Sequence, residues 1–416
     1  MKHLEKVEAL RISLHDWDVG VLTHYAGGKN ILIFHPEFVA MPERERPIVT
    51  LRQKFDTQYL QRSQIKTEKI PPLLSNLLPE GMLREWLATQ LKCHINHEFA
   101  LLAYLGLNLP GALQASPIGA GRVPNWALSE RLSTEPWSID VQYAGYQFSL
   151  AGVQMKFSST EVDGRYMVNQ EISSEVWIIK TPSPLHKGVT VNEYSCMRLA
   201  EVAGIDVPEI RLVPLHQVDG LPNIQLPDEP WAYAIKRFDR SPQGRVHTED
   251  FAQIMGLYPI DKYQKVNYEQ LAQVLYQATK LSEAQQLAKR LLVNVLLGNG
   301  DAHLKNWSII YPDGINPSLA PLYDVVFTAP YIKNDGLALN LDGHKNWYAL
   351  SWKNFQNWSK KAGLPWIAIK PHLESTLALA QAYWPQLLET LPMLDTHKQA
   401  LRQHWQTLHS DFRIHS

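Results

Sequence analysis

The chain has 416 residues, more than one ordinary core accommodates, so two or three domains are expected. Its 40 basic and 41 acidic residues leave a formal charge of −1, and no global field favours tight non-specific nucleic-acid binding. Two cysteines, Cys93 and Cys196, argue against a disulfide scaffold and suit a reducing cytosol. No apolar run is long enough to span a bilayer, and the first six residues lack a signal-peptide core, so a soluble, cytoplasmic protein is expected.

The stretch to about residue 67 reads as strand-rich. Segments 19–25 and 30–34 flank Ala26-Gly27-Gly28-Lys29, a hairpin signal. Residues 70–113 read as helical, with entry punctuated by Pro71-Pro72 and Pro79-Glu80-Gly81 and helical spacing over 82–91. Residues 114–140, with Gly, Pro and Ser, read as loop. Between 141 and 240, strands are predicted at 146–150, 165–168, 175–180, 209–215 and 231–237. One helix, over 191–202, interrupts them. Its apolar stripe of Cys196, Leu199, Ala200 and Ala203 buries Cys196, Gly204 ends it, and Pro208 bars its resumption. From 249 onward the pattern is mainly helical, with helices predicted at 268–279, 283–297, 352–362, 371–383 and 396–408. A strand-rich part followed by a helical part, joined near 237–245, is the coarse shape of a two-lobed, protein-kinase-like α+β fold.

The motif that carries chemistry is Asn299-Gly300-Asp301-Ala302-His303-Leu304-Lys305-Asn306, followed by Pro321-Leu322-Tyr323-Asp324. An Asp and an Asn five positions apart, then a second Asp after a short apolar strand, is the spacing of a kinase active site. Phosphoryl transfer needs phosphates held, metal charge placed and a hydroxyl oriented. Asp301, on a loop just past a helix end, is the candidate base; the alternative is an Asp closing a turn beside Gly300. Asn306 and Asp324 offer the hard oxygens that Mg²⁺ takes beside phosphates; singly, each is also an ordinary polar loop residue. Pro312-Asp313-Gly314 predicts a hairpin that returns Asp324 toward Asn306. Lys180 ends the apolar strand Val176-Trp177-Ile178-Ile179, and Glu193 on the next helix is its candidate partner; an edge-strand Lys and an exposed helical Glu are the plain alternatives. The candidate phosphate loop, 148–156, has one glycine, Gly152, and matches neither Walker A nor the three-glycine kinase pattern. His303 has no second His or Cys at ligand spacing and reads as a hydrogen-bonding loop residue.

In order and identity these segments resemble the HipA-like serine/threonine kinases, toxins of bacterial toxin–antitoxin systems. The resemblance rests on Ser-Leu-Ala-Gly-Val-Gln-Met-Lys (149–156), Ile-Ile-Lys (178–180), Asn-Glu-Tyr (192–194), Arg-Phe-Asp-Arg (237–240), Glu-Asp-Phe-Ala-Gln (249–253), Gly-Asp-Ala-His-Leu-Lys-Asn (300–306) and Leu-Tyr-Asp (322–324). Asn-Leu-Leu-Pro-Glu-Gly (76–81) resembles the amino-terminal subdomain of that family. The resemblance implies three parts: an added amino-terminal subdomain (1–115), a nucleotide-binding lobe (116–240) and an all-helical catalytic lobe (241–416). It implies ATP and Mg²⁺, with Asp301 as base and Asn306 and Asp324 on metal. The implied nucleotide-binding residues are Ser149, Gly152, Gln154, Lys156, Lys180, Lys236, Phe238, Gln253 and His303. Autophosphorylation at Ser149 is also implied; it places nearly two negative charges where the phosphates of ATP must sit. The implied substrates are translation components such as an aminoacyl-tRNA synthetase. The implied partner is a small DNA-binding, HipB-like antitoxin, with DNA reached only through it. Two departures stand out: Met155 where many relatives carry Glu or Pro, and Tyr323-Asp324-Val325 with no glycine after its Asp.

Two other readings keep the fold. One is a kinase for a small molecule or lipid, since a fold does not determine its substrate. The other is a catalytically silent nucleotide binder that modulates a DNA-bound antitoxin.

Overall fold

The computed structural model describes residues 4–129, 135–142, 155–168, 176–222 and 225–415. The predicted strand at 146–150 lies outside them. The chain divides into two units: Met1–Ile178 with Asp239–Pro259 and Ile310–Asn316, and Ile179–Phe238 with Ile260–Ile309 and Pro317–Ser416.

In the first unit an antiparallel sheet runs in the order Gln64–Thr67, Lys29–Phe34, Trp17–Tyr25, Leu4–Leu14 and Leu113–Gly119, with Ile139–Gln142 also on Leu4–Leu14. The expected hairpin is present, with Gly27 and Gly28 at φ 74° and 72°, a conformation that favours glycine. Two strands fall where a loop was expected, Leu113–Gly119 and Ile139–Gln142. Their Pro, Ser and Gly content hides them. They form because Leu4–Leu14 offers an unpaired edge, which they satisfy from Ala9↔Ile118 to Leu14↔Leu113 and from Leu4↔Gln142 to Val7↔Ile139. Gly106 follows the buried helix Glu98–Leu105, and a Cβ there would collide with the Ala115 carbonyl, so the helix meets the strand only through a glycine. The helical stretch after residue 70 is anchored by the buried Glu98 carboxylate, which accepts from Ile70 N (3.1 Å) and Ser75 Oγ (2.9 Å) and pairs with Arg84 (3.2 Å).

In the second unit, strands Ile210–Pro214 and Trp231–Lys236 pair antiparallel, and helix Val189–Val202 carries Cys196 fully buried. Burial pushes the Cys196 thiol up to about 12, so it acts as a small apolar side chain. The helices Tyr268–Ala278, Leu281–Leu296, Trp352–Lys361, Trp366–Thr390 and Asp395–Thr407 complete this unit. Buried indoles join them: Trp358 donates to Tyr268 O (3.0 Å), Trp384 to Leu199 O (2.8 Å) and Trp405 to Leu296 O (2.9 Å). The helix expected at 371–383 runs instead from Trp366 to Thr390, through Pro371 and Pro385. A proline inside a helix costs about 3 kcal/mol. Here Ile369, Leu373, Leu377, Ala380, Trp384 and Leu388 form one buried stripe along the helix, and that burial outweighs the local penalty.

Among the described residues, no helix is long and apolar enough to cross a membrane. The mixture of sheet and helix agrees with a kinase-like α+β fold.

Candidate active site

Strand Val176–Lys180 delivers Lys180 into the second unit, where its side chain is 3% exposed. Its ammonium pairs with Glu193, itself 1% exposed on helix Val189–Val202, and with the Asp324 carboxylate. Burial works against the charge, but Asp324 and Glu193 together outweigh it and hold Lys180 above its usual pKa. The Lys180 Nζ also lies 5.6 Å from the ring centroid of Tyr233 on strand Trp231–Lys236. Burial, with Glu193 and Asp324 adding to it, drives the Tyr233 hydroxyl well above its ordinary value and keeps it neutral.

Asp324 sits at φ 56°, in the left-handed region that Asp tolerates better than most residues. Such a backbone costs on the order of 1–3 kcal/mol and persists only where its surroundings impose it. Here Leu322 N donates to Asp206 O (2.9 Å) on one side of Asp324. On the other side, Asn192 holds Phe327 from both ends, accepting from Phe327 N (3.0 Å) and donating to Phe327 O (2.9 Å). Adjacent residues of one helix thus set the two halves of the site: Asn192 positions the segment that presents Asp324, and Glu193 positions Lys180.

The loop after helix Leu281–Leu296 is built on backbone bonds. Gly298 lies at φ 55°, and Asn299 is tied to Asn294 through its amide (2.6 Å) and its backbone N–H (2.9 Å). Asp301 N donates to Asn299 Oδ1 (3.1 Å), and Asp301 O accepts from Asn306 Nδ2 (2.8 Å) and His303 N (2.7 Å). Ala302 O accepts from Tyr268 Oη (2.9 Å) and Trp307 Nε1 (3.0 Å). Gly300 leaves no room for a Cβ, which would meet the Asp335 carboxylate. This loop holds the Asp301 and Asn306 backbones in one frame and leaves the Asp301 side chain 47% exposed. The predicted return is present: Ala320 N donates to Ser308 O (2.9 Å), and Tyr323 Oη donates to Lys305 O (2.9 Å), beside Asn306.

Lys180, Glu193 and Asp324 are in contact, and Asp301 and Asn306 share a loop closed by a hydrogen bond. Buried His303 lies 3.8 Å from Asp301 Oδ1 through Nε2. The Phe238 ring packs 5.5 Å from that of Tyr323, next to Asp324, and half-buried Lys236 faces Glu209 at 3.9 Å. Gln253 lies in the first unit, where it completes a capping box with Asp250 and donates to Leu73 O (2.7 Å). Lys156, also in the first unit, is buried and opens strand Lys156–Val162. Ser149, Gly152 and Gln154 lie outside the described residues. Sequence reasoning gave no role to Asn192, although it lies in the quoted Asn-Glu-Tyr segment, and passed over Tyr233 and Tyr263. Asn192 could have been found, because it precedes Glu193 on the same helical turn; the other two carry no local signal.

Among the described residues, no group of three or more His, Cys, Asp and Glu forms a metal-binding cluster. The candidate donors are different in kind: the carboxylate of Asp324 and, with its nitrogen tied to Asp301 O, the amide oxygen of Asn306. Two hard oxygens fit Mg²⁺, which keeps waters and takes its remaining ligands from phosphates.

The HipA-like C-terminal domain matches residues 148–384, and the HipA N-terminal domain matches residues 10–116. A Sinorhizobium fredii protein named "Putative kinase Y4dM" is 36% identical over 405 residues, covering 95% of this chain and 97% of the relative. The "Serine/threonine-protein kinase toxin HipA" of Shewanella oneidensis is 26% identical, covering 64% of each chain. In fold, the chain is similar to a chain of the Shewanella oneidensis HipA–HipB–operator DNA complex, with TM-score 0.70, 21% identity and coverage of 96% and 97%. Two matched domains that together span most of its length, and a relative alike from end to end, place the chain in the HipA-like kinase family.

Proposed function

We propose that this protein is an ATP- and Mg²⁺-dependent serine/threonine protein kinase that acts as the toxin of a toxin–antitoxin pair. The observation that carries the reading is buried Lys180 held between Glu193 and Asp324, in the unit that also presents Asp301 and Asn306 from one loop. Lys180 binds the phosphates of ATP, and Asp301 orients the substrate hydroxyl and accepts its proton. Asn306 and Asp324 would hold Mg²⁺, whose charge neutralises the phosphates when it is bound. Ser149, Gly152, Gln154 and Lys156 form the phosphate loop, and Lys236, Phe238, Gln253 and His303 complete the nucleotide-binding set. In this reading the chain has an amino-terminal subdomain (1–115), a nucleotide-binding lobe (116–240) and a helical catalytic lobe (241–416).

Ser149 is the autophosphorylation site. The protein substrate is a translation component such as an aminoacyl-tRNA synthetase. The partner is a small HipB-like antitoxin through which alone the protein reaches DNA, a reading supported by the complex in which the fold relative occurs. The near-neutral net charge agrees with indirect DNA association, and the cytoplasm is the compartment.

The test is the intact and peptide mass of the protein expressed alone, wild type beside Asp301→Asn. Phosphate on Ser149 in wild type and none in the variant is expected. No phosphate in either after incubation with Mg²⁺ and ATP would turn the reading toward a silent nucleotide binder.

A further inference from the structure

Tyr263 lies between the turn Pro259–Asp261 and helix Tyr268–Ala278 and is 39% exposed. Its hydroxyl donates to Oδ1 of Asp301. Its ring stands edge-on to His303, with centroids 4.9 Å apart and planes at 83°, and the Lys262 ammonium lies 5.6 Å from the ring centroid. The backbone before it is pinned to the same loop, Leu304 N donating to Lys262 O (3.2 Å). His303 Nε2 faces the same carboxylate oxygen at 3.8 Å. The contacts on Asp301 then sort by atom. Its N–H is held by Asn299, its carbonyl by Asn306 and His303, and its Oδ1 by Tyr263. Oδ2 is the oxygen these contacts leave for a ligand.

We propose that Tyr263 is a positioning residue for phosphoryl transfer. It locks the Asp301 rotamer through Oδ1, so that Oδ2 receives the acceptor hydroxyl. The proposal rests on the reading of Asp301 as the base. A carboxylate half open to solvent on a loop otherwise samples several rotamers, and misplacement by about 1 Å costs as much as 100-fold in rate. A phenol held by ring packing supplies a donor at fixed direction with little entropy left to lose.

The experiment uses the dephosphorylated full chain with Mg²⁺ and γ-labelled ATP, following ADP release and label incorporated into the chain. Tyr263→Phe keeps the ring and removes the donor. It is expected to lower kcat about tenfold, leave KM for ATP within about twofold and leave Tm unchanged. In an Asp301→Asn background the same change is expected to have no further effect, because the oxygen it organises is gone. An unchanged kcat in Tyr263→Phe overturns the proposal while leaving Asp301 as base. So does an increase, which would make Tyr263 a competitor for the acceptor position. An equal loss in the Asp301→Asn background would mean a structural role. Full turnover by Asp301→Asn would remove the base reading itself.

Discussion

Two fully buried glutamates, one in each unit, are stabilised in opposite ways. Glu193 is neutralised by a cation, Lys180, which it shares with Asp324. Glu249 is surrounded by neutral donors: Leu51 N (2.5 Å), Thr50 Oγ1 (2.9 Å) and the Tyr311 hydroxyl. For Glu249, burial outweighs those three bonds and raises its pKa to about 7. Beside it, burial lowers His247 to about 4 against the bond its Nε2 donates to Val49 O (3.0 Å), and the His247 ring stacks on Tyr311 at 5.2 Å. A buried carboxylate with a cation stays charged and stores its energy in the pair. One with neutral donors alone becomes a titrating group, and its cost depends on pH.

The largest break in that comparison is Lys180→Met, which turns the paired region into an unpaired one with two carboxylates. Removing one partner of a buried pair costs about 3–5 kcal/mol, and with Asp324 also stranded the upper end is expected. A drop in the urea midpoint at neutral pH, partly recovered by adding Glu193→Gln, would verify this. A midpoint unchanged from wild type would show that the pair contributes nothing to stability.

Glu249→Gln sharpens the other side. Its folded pKa is above its unfolded one, so below about 4.5 the group costs nothing. Between about 4.5 and 7 the unfolded state releases its proton first, and stability falls as pH rises. Above pH 7 the accumulated cost is roughly 3 kcal/mol. His247 has the reverse sign: its folded pKa is depressed, so its contribution is present above about 6.5 and is lost as pH falls toward 4. The two slopes oppose each other over nearly the same window, and wild type is expected to show a muted dependence from this region. Glu249→Gln should gain stability relative to wild type progressively from pH 4.5 to 7. Unfolding curves at several pH values will read it, and a constant offset would refute the assignment.

A smaller effect is expected at Asn192, which anchors the Asp324 segment by neutral bonds. Asn192→Ala strands the buried N–H and C=O of Phe327 and should cost about 2 kcal/mol. Because those bonds carry no net charge, the loss should hardly change with salt, whereas the Lys180→Met loss alters local charge. Thermal melts at two ionic strengths separate the cases.

Much of this was legible along the chain. Asp301, Asn306, Asp324, Lys180 and Glu193 announce themselves through spacing, because a hairpin, a strand end and a helical turn each convert a short interval into a predictable return. Helix Tyr268–Ala278 begins where the helical pattern predicts, and the glycine-bearing turn between Trp17–Tyr25 and Lys29–Phe34 joins the expected hairpin. Other features have no local signature. Strands Leu113–Gly119 and Ile139–Gln142 form because an edge far away in sequence needs partners, and helix Trp366–Thr390 runs through two prolines because its apolar stripe is buried against other helices. Tyr263 reaches Asp301 from 38 residues upstream. Periodicity, caps and turn residues act over a few residues, and the sequence alone determined what they govern. Edge pairing, long-range burial and the partner of each buried charge depend on which distant segments meet, and only the tertiary structure decided those.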